Sequence, residues 1–211
     1  MNLKIKTEKY LVVSEWEVEA GKEQDIKAVW ERSSFKNLLG DYVLYKGIVK
    51  NTYVLMYETA DFSKVQQLLE SDDYLKLLDD LSAYVASDMH QGLYGLVDSV
   101  KDRKTFIPAT KYMQLRSIEV PLSGIDPYLD WRKRRIYKYV EKNDKVKSFL
   151  SFHSVFSTEP GVLFVTEFEG DPDEYRNSFL TDEYKQIIKE AGHDHIKGGL
   201  NTFEYVLVDR K

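Results

Sequence analysis

The sequence predicts an α+β fold built from two tandem copies of one strand–helix–strand–strand–helix–strand unit. Three pairs of segments that match in the same order along the chain indicate the duplication. The paired segments are residues 10–13 with 112–115, 54–58 with 163–167, and 71–78 with 181–188. Their separation grows only from 102 to 110 residues, so the second copy carries a few additional residues. We expect two units, residues 1–100 and 101–211, with a linker at about 99–110.

The strongest of these matches is a helix start that occurs twice. Ser71 and Thr181 each precede two acidic residues and then apolar residues at helical spacing. A hydroxyl at this place accepts a free backbone N–H of the first turn, and the acids favour the positive end of the helix dipole. Both segments therefore predict an N-capped helix.

Alternation and helical periodicity give the elements of each unit in order. In the first unit we expect strands at about 9–19, 42–49, 52–59 and 92–98, and helices at about 21–37 and 61–88, the second of them broken near Ser71. In the second unit we expect strands at about 111–120, 147–157, 161–169 and 200–208, and helices at about 124–142 and 171–191. This order forms a ferredoxin-like unit, whose antiparallel sheet carries helices on one face. The opposite face needs cover, which a second copy can supply.

Composition excludes several classes of function. The net charge is −5, and the densest basic run, residues 132–135, would spread around a helix instead of forming one patch, so nucleic-acid binding is not predicted. The chain has no cysteine, which excludes disulfides and thiolate sites. No apolar run approaches the roughly 20 residues of a membrane span, and residues 1–9 lack the apolar core of a signal peptide. We expect a cytoplasmic monomer or homodimer that does not bind membranes.

The pattern resembles the dimeric α/β barrel superfamily, which includes the antibiotic-biosynthesis-monooxygenase-like proteins. The resembling features are the helix start Glu-Ala-Gly-Lys-Glu at 19–23, the strand pair that follows, and the late hydroxyl–acid–acid–Tyr turn. The second half has Leu-Ser-Gly-Ile at 122–125 instead of Gly-Lys-Glu. The resemblance implies two units packed sheet to sheet as a pseudo-dimeric α/β barrel around a cavity. Its members include cofactor-free oxygenases, haem-binding enzymes and proteins without a known reaction, so it implies no single activity.

Three residues are candidates for catalysis. Glu58 and Glu167 are equivalent in the repeat and lie in apolar strand surroundings, where a carboxylate could act as a general base. The alternative is that both lie in water or pair with Lys or Arg. His153 shares a strand face with Phe149 and Ser151, and on a cavity wall it could move a proton or ligate haem iron. A structural hydrogen bond is the alternative for His153.

Four further residues are candidates for ligand contact. Glu15 and Trp16 are neighbours on the first strand and therefore point to opposite faces, and the sequence leaves open which face lines the cavity. Arg116 lies on the matching strand of the second half, and Tyr57 on a tyrosine-rich strand of the first half.

The sequence predicts no metal site and no resident cofactor. His193 and His195 form a His-x-His pair whose rings could point the same way in an extended segment, but a third ligand is not evident. A glycine-rich phosphate loop, a nucleophile elbow and a zinc-protease helix motif are all absent from the sequence.

Three functions follow from this sequence. The first is a barrel protein that binds a small, largely apolar ligand between its sheets. The second is an enzyme, either a cofactor-free monooxygenase or a haem-associated enzyme, that uses His153 and a glutamate. The third is a non-catalytic interaction module whose sheets pack shut. The sequence leaves open whether the protein is an enzyme, and His153 points to the second half as the source of any chemistry.

Overall fold

The described residues form one closed antiparallel barrel of eight strands. The structure is a computed structural model that describes residues 2–6, 8–157 and 160–211. The order of the strands around the barrel is β1-β3-β2-β8-β5-β7-β6-β4. The strands are β1 (Tyr10–Glu17), β2 (Tyr42–Gly47), β3 (Thr52–Thr59), β4 (His90–Val100), β5 (Tyr112–Glu119), β6 (Val146–Ser157), β7 (Val162–Phe168) and β8 (Lys197–Arg210).

The two halves of the barrel have the same internal strand order. The order β4-β1-β3-β2 of the first half recurs as β8-β5-β7-β6 in the second, and the pairs β2–β8 and β4–β6 join the halves. The register repeats as well. Tyr10 of β1 lies opposite Thr59 of β3 and Gly95 of β4. Its equivalent on β5, Tyr112, lies opposite Phe168 of β7 and Val206 of β8. The predicted pseudo-dimeric α/β barrel is confirmed. The division into units 1–100 and 101–211 stays a prediction, because both halves complete a single barrel.

The helices cover the outside of the barrel. They are α1 (Glu23–Arg32), α2 (Phe35–Leu38), α3 (Phe62–Leu69), α4 (Asp72–Ser82), α5 (Ile125–Arg132), α6 (Lys138–Lys142), α7 (Pro172–Asn177) and α8 (Asp182–Asp194). A π-helical turn, Lys133–Tyr137, joins α5 to α6. Ser71 and Thr181 cap α4 and α8 as expected, since each hydroxyl accepts a backbone N–H at 3.2 Å. None of the helices in the described part of the chain is long and apolar enough to cross a membrane.

The first strand shows which face lines the interior. Leu11 and Val13 belong to the core inside the barrel, whereas Val12 and Trp16 belong to the core beneath the helices of the first half. The same alternation holds on β5, where Leu115 points inward and Ile118 points to the helices. Glu15 therefore shares the inward face, and Arg116 shares the outward one.

The predicted linker closes one end of the barrel. We call residues 101–111, between β4 and β5, the plug segment. Ile107 is buried in the core inside the barrel, and Phe106 packs against the same core with its ring 5.4 Å from the ring of Phe152. The chain that joins the two halves thus seals the barrel at this end.

Candidate functional site

The open end of the barrel, opposite the plug segment, contains a cavity of about 430 Å³. Its walls are apolar or aromatic, and polar side chains gather at its mouth. The walls include Val13, Tyr94, Leu115, Leu163 and Tyr205. The mouth carries Glu15, Lys50, His90, Ser117 and Asn201. Such a combination can hold an apolar molecule and orient a polar group on it.

Two equivalent pairs of residues face each other at the mouth. Glu15 lies directly opposite His90 in the β1–β4 ladder, and Ser117 lies directly opposite Asn201 in the β5–β8 ladder. The repeated register makes these positions equivalent between the halves. One wall of the cavity is therefore ionisable and the other is polar but neutral. The ionisable pair, Glu15 and His90, belongs to the first half, whereas His153 had pointed to the second half as the source of any chemistry. The pair can be recognised only when the register between β1 and β4 is known.

A glycine shapes the first-half wall beside this pair. A Cβ atom at Gly92 would overlap the ring of Tyr94, so the glycine lets that ring lie along β4. The Tyr94 hydroxyl lies 2.9 Å from the Ser157 hydroxyl oxygen. In the second half the position of Gly92 is taken by Phe203, which lies opposite Leu115. The two walls therefore differ in shape as well as in charge.

Lys50 covers part of the mouth. It follows β2 in the turn before β3, and its ammonium lies 4.0 Å from the centroid of the Phe203 ring. A cation over an aromatic face is attracted by the negative charge of the ring face. This contact holds the Lys50 ammonium against the second-half wall of the cavity.

Glu167 lies at the closed end and is tied to the plug segment. Its Oε2 lies 2.6 Å from Nη1 of Arg103 and accepts a hydrogen bond from the Ser148 hydroxyl at 2.5 Å. Its Oε1 accepts the backbone N–H groups of Ala109 and Thr110. Burial favours a higher pKa for the Glu167 carboxyl, but Arg103 and these hydrogen bonds outweigh it and hold the pKa below its usual value. A carboxylate held this way is a poor proton acceptor.

Glu58 holds the plug segment from the first half. It accepts the backbone N–H of Phe106 at 3.1 Å and pairs with the Lys9 ammonium at 2.8 Å. The two glutamates that the repeat makes equivalent thus bind the same segment. These contacts favour the alternative that Glu58 and Glu167 are paired with Lys or Arg, and not the alternative that they act as general bases.

The helix-facing sides of the strands carry His153 and Arg116. The ring of His153 shares its face with Phe149, which packs under the second-half helices, and its Nδ1 lies 3.0 Å from the carbonyl oxygen of Ser154. Arg116 donates from Nε to the Thr202 hydroxyl at 2.9 Å. The structure therefore does not bring His153 or Arg116 together with Glu15.

Tyr57 and Trp16 lie in the first-half core beneath the helices. Trp16 also borders the cavity, while Tyr57 lines a separate apolar groove of about 730 Å³ on the helix side of the sheet. We call this the outer groove; Phe62 and Phe156 are exposed along it. Burial raises the pKa of the Tyr57 hydroxyl to about 12, so it stays protonated at neutral pH.

His193 and His195 do not share one extended segment. Helix α8 continues to Asp194, so His193 lies in its last turn, where its ring contacts the Asp194 carboxylate. His195 follows the helix and packs its ring 4.8 Å from that of Trp131. Within residues 2–6, 8–157 and 160–211, no group of three or more His, Asp or Glu side chains is placed to hold a metal ion.

Comparisons with known proteins agree on the fold. No family model matches the chain, and no curated protein matches it by sequence. Among solved structures, an anthrone oxidase-like protein is 10% identical with a TM-score of 0.73, covering 98% of this chain and 94% of its own. A candidate monooxygenase from Fusobacterium nucleatum is 13% identical with a TM-score of 0.69, covering 96% and 94%. A candidate chlorite dismutase is 12% identical with a TM-score of 0.66, covering 95% of each chain. The protein thus has the fold of the dimeric α/β barrel superfamily, with both ferredoxin-like units in one chain.

Proposed function

We propose that the protein binds a small, largely apolar molecule with one polar group in the cavity at the open end of the barrel. The observation that carries this proposal is the cavity of about 430 Å³ between the two sheets, apolar along its walls and polar at its mouth. Its volume lies in the range of about 300–1,000 Å³ typical of small-molecule sites. A barrel filled by its own side chains would have favoured an interaction module instead.

The cavity orients such a ligand. Its apolar part would pack against Val13, Leu115 and Leu163, where burial of apolar surface supplies most of the affinity. Its polar group would point to the mouth, where Ser117 and Asn201 offer neutral hydrogen-bonding partners.

A dye-binding titration tests this proposal. The probe is anilinonaphthalene sulfonate, an aromatic dye that fluoresces in apolar sites. Ser117→Trp places a large side chain in the cavity and is expected to weaken dye binding at least about tenfold. Glu119→Trp, two residues further along β5 at an exposed position, is the matched control and should leave the affinity unchanged.

The outer groove requires a second control, because it is also apolar. Phe62→Glu adds a charge to the groove without touching the cavity. The proposal requires that Phe62→Glu bind the dye as the wild type does. Loss of binding in Phe62→Glu together with normal binding in Ser117→Trp would move the site to the groove and contradict the proposal.

A second candidate function is oxidation of the bound molecule without a cofactor. The observation that favours it is the Glu15–His90 pair, because a base on the cavity wall could take a proton from an activated C–H group and leave a carbanion that reacts with O₂. Anthrone is the natural probe, since one solved neighbour is described as anthrone oxidase-like. One anthrone and one O₂ would give one anthraquinone and one water.

Oxygen uptake in the presence of anthrone tests this second function. Uptake by the wild type that is lost in His90→Asn and kept in His193→Asn would support it. His193 is the control because it is an exposed histidine on α8, outside the cavity. If the wild type takes up oxygen no faster than anthrone does spontaneously, the oxidation is contradicted and only the proposal of ligand binding stands.

We further infer that the protein works as a monomer in the cytoplasm. The barrel closes with its own eight strands among the described residues, so it needs no second chain to complete the cavity. Sedimentation should give a mass near 24.7 kDa, and cell fractionation should place the protein in the cytosolic fraction.

A further inference from the structure

Two rims of the barrel cavity are equivalent in the repeat but differ in structure. In the first half the rim is at Gly92 of β4, which lies opposite Ser157 and ends the β4–β6 ladder among the described residues. Its equivalent in the second half is Phe203 of β8, because the register of the strands repeats. A ligand longer than the cavity leaves it either straight into solvent or over one of these two rims.

At the Gly92 rim, the cavity lies next to the outer groove. Gln91 and Gly92 line both spaces. A glycine places no side chain between them, and no β6 residue in the described part of the chain lies opposite Gln91. Trp16, whose side chain packs beneath the helices, also borders the cavity, so the cavity extends to the helix side of the sheet at this point. The rim thus offers a path from the cavity into the groove.

The outer groove suits a flexible apolar chain. Its volume is about 730 Å³, and the apolar side chains along it come from both α3 and the sheet: Val12, Phe62, Val65, Leu69, Leu93 and Phe156. No residue of α3 is buried, and Phe62 is 50% exposed and Phe156 71% exposed. A contiguous apolar surface of this kind is typical of a binding site. A ligand chain that covers it would gain affinity from the burial of both surfaces.

The Phe203 rim is covered and charged. Phe203 has a ring where the first half has only Gly92, and the Lys50 ammonium lies 4.0 Å from the centroid of that ring. The space beyond this rim has a volume of about 320 Å³ and is lined by Lys50 and by the ion pair of Arg176 with Glu204. An apolar chain over these groups would remove water from their charges, which costs free energy. The two rims therefore favour the first-half side for an apolar chain.

We propose that the ligand of the barrel cavity carries a long alkyl-type chain, and that this chain crosses the Gly92 rim and lies in the outer groove. The inference rests on the proposed function, because the head of the molecule occupies the cavity. The polar group of the head stays at the mouth beside Ser117 and Asn201, while the chain turns toward α3. The ligand is thus an amphipathic molecule with a compact head and a flexible apolar chain. Each methylene buried in the groove strengthens binding about three- to fourfold.

Two fluorescent dyes, prodan and laurdan, test the chain. They share one neutral dimethylaminonaphthalene head and differ only in the attached chain, which is propionyl in prodan and lauroyl in laurdan. In a fluorescence titration the wild type should bind laurdan at least about tenfold more tightly than prodan. Phe62→Glu should weaken laurdan binding at least about tenfold and leave prodan binding unchanged, because only the lauroyl chain reaches the groove. Phe156→Glu, which changes the groove from the sheet side, should give the same result.

The equivalent rim supplies the matched control. Val49 is 91% exposed and lines the space beyond Phe203, so Val49→Glu adds the same charge on the other side of the mouth. This variant should bind both dyes as the wild type does. Ser117→Trp should weaken binding of both dyes, because their common head occupies the cavity.

The outcomes separate this inference from the proposed function. Equal laurdan binding by the wild type and Phe62→Glu, with prodan bound in the cavity, would overturn the inference alone. The same result follows if Val49→Glu weakens laurdan as much as Phe62→Glu does. Laurdan binding that Ser117→Trp leaves intact would show that the groove binds the chain without the cavity, which also overturns it.

Two further results bear on what occupies the groove. If prodan does not bind the wild type, or binds Ser117→Trp equally well, the proposed function is contradicted and the inference falls with it. If the wild type sediments as a dimer and Phe62→Glu as a monomer, the groove is an interface between two copies of the chain, and the inference is overturned.

Discussion

The two ends of the barrel carry glutamates on the same inward faces of its strands, yet the glutamates have different surroundings. At the closed end, Glu58 and Glu167 accept backbone N–H groups of the plug segment and pair with cations. At the open end, Glu15 lines the cavity opposite His90. An inward-facing position on a barrel strand therefore does not by itself decide the role of a carboxylate. The role depends on which segment of the chain covers that end.

The largest expected effect is at the closed end. Glu167→Gln leaves the buried Arg103 without its counter-charge, and such a loss costs about 3–5 kcal/mol of unfolding free energy. Its repeat equivalent is the matched control: Glu58→Gln breaks a pair with the half-exposed Lys9 and should cost about 1 kcal/mol or less. Urea unfolding measures both. Equal losses in the two variants would show that the halves hold the plug segment alike.

The plug segment itself should contribute the next largest effect. Ile107→Ala removes a side chain that is 5% exposed inside the barrel, and such truncations cost about 2–4 kcal/mol. Ile48→Ala, at a partly exposed turn of the open end, should change the free energy of unfolding by less than about 0.5 kcal/mol. If Ile107→Ala leaves the free energy of unfolding unchanged, residues 101–111 are a loose linker and not a plug.

Acid sensitivity should also come from the closed end. The pKa of Glu167 is lowered on folding, so the unfolded chain takes up its proton at a higher pH than the folded chain. Its contribution to stability is fully present above the ordinary pKa of 4.5 and is lost as the pH falls through the lower, folded pKa. Unfolding free energies measured from about pH 6 to pH 3 should fall less steeply in Glu167→Gln than in the wild type. Parallel slopes would contradict this role.

The smallest effect on stability is expected at the open end. The double variant Glu15→Ser, His90→Asn gives the first-half wall the residues of the second-half wall. Both sites are at least partly exposed, so the free energy of unfolding should change by less than about 1 kcal/mol. Removal of the carboxylate should strengthen binding of the anionic dye a few-fold, because like charges repel. If the double variant loses much of its free energy of unfolding, Glu15 stabilises the fold as Glu58 and Glu167 do.

Much of the fold could be predicted because duplication leaves matching local signals. Ser71 and Thr181 mark equivalent helix starts through their own side chains, and alternation along β1 separates Val12 from Val13. The site was harder to predict because cavity residues meet only through strand register. His90 has no signal of its own in the sequence, and its place opposite Glu15 depends on how β4 pairs with β1.

The sequence could not show the surroundings of Glu167 and His153, for two physical reasons. Glu167 lies in an apolar strand, as a general base would, but Arg103 comes from a segment 64 residues away that the sequence describes only as a linker. His153 lies on a well-alternating strand, and alternation cannot tell the inward face from the outward face.

The most direct test of a ligand site inside the barrel is a crystal structure of the protein with anilinonaphthalene sulfonate. We expect electron density for the dye inside the barrel, between Val13, Leu115 and Phe203, with its sulfonate at the mouth and the plug segment unchanged. Dye in the outer groove beside Phe62, or a dye that displaces residues 101–111 from the closed end, would contradict it.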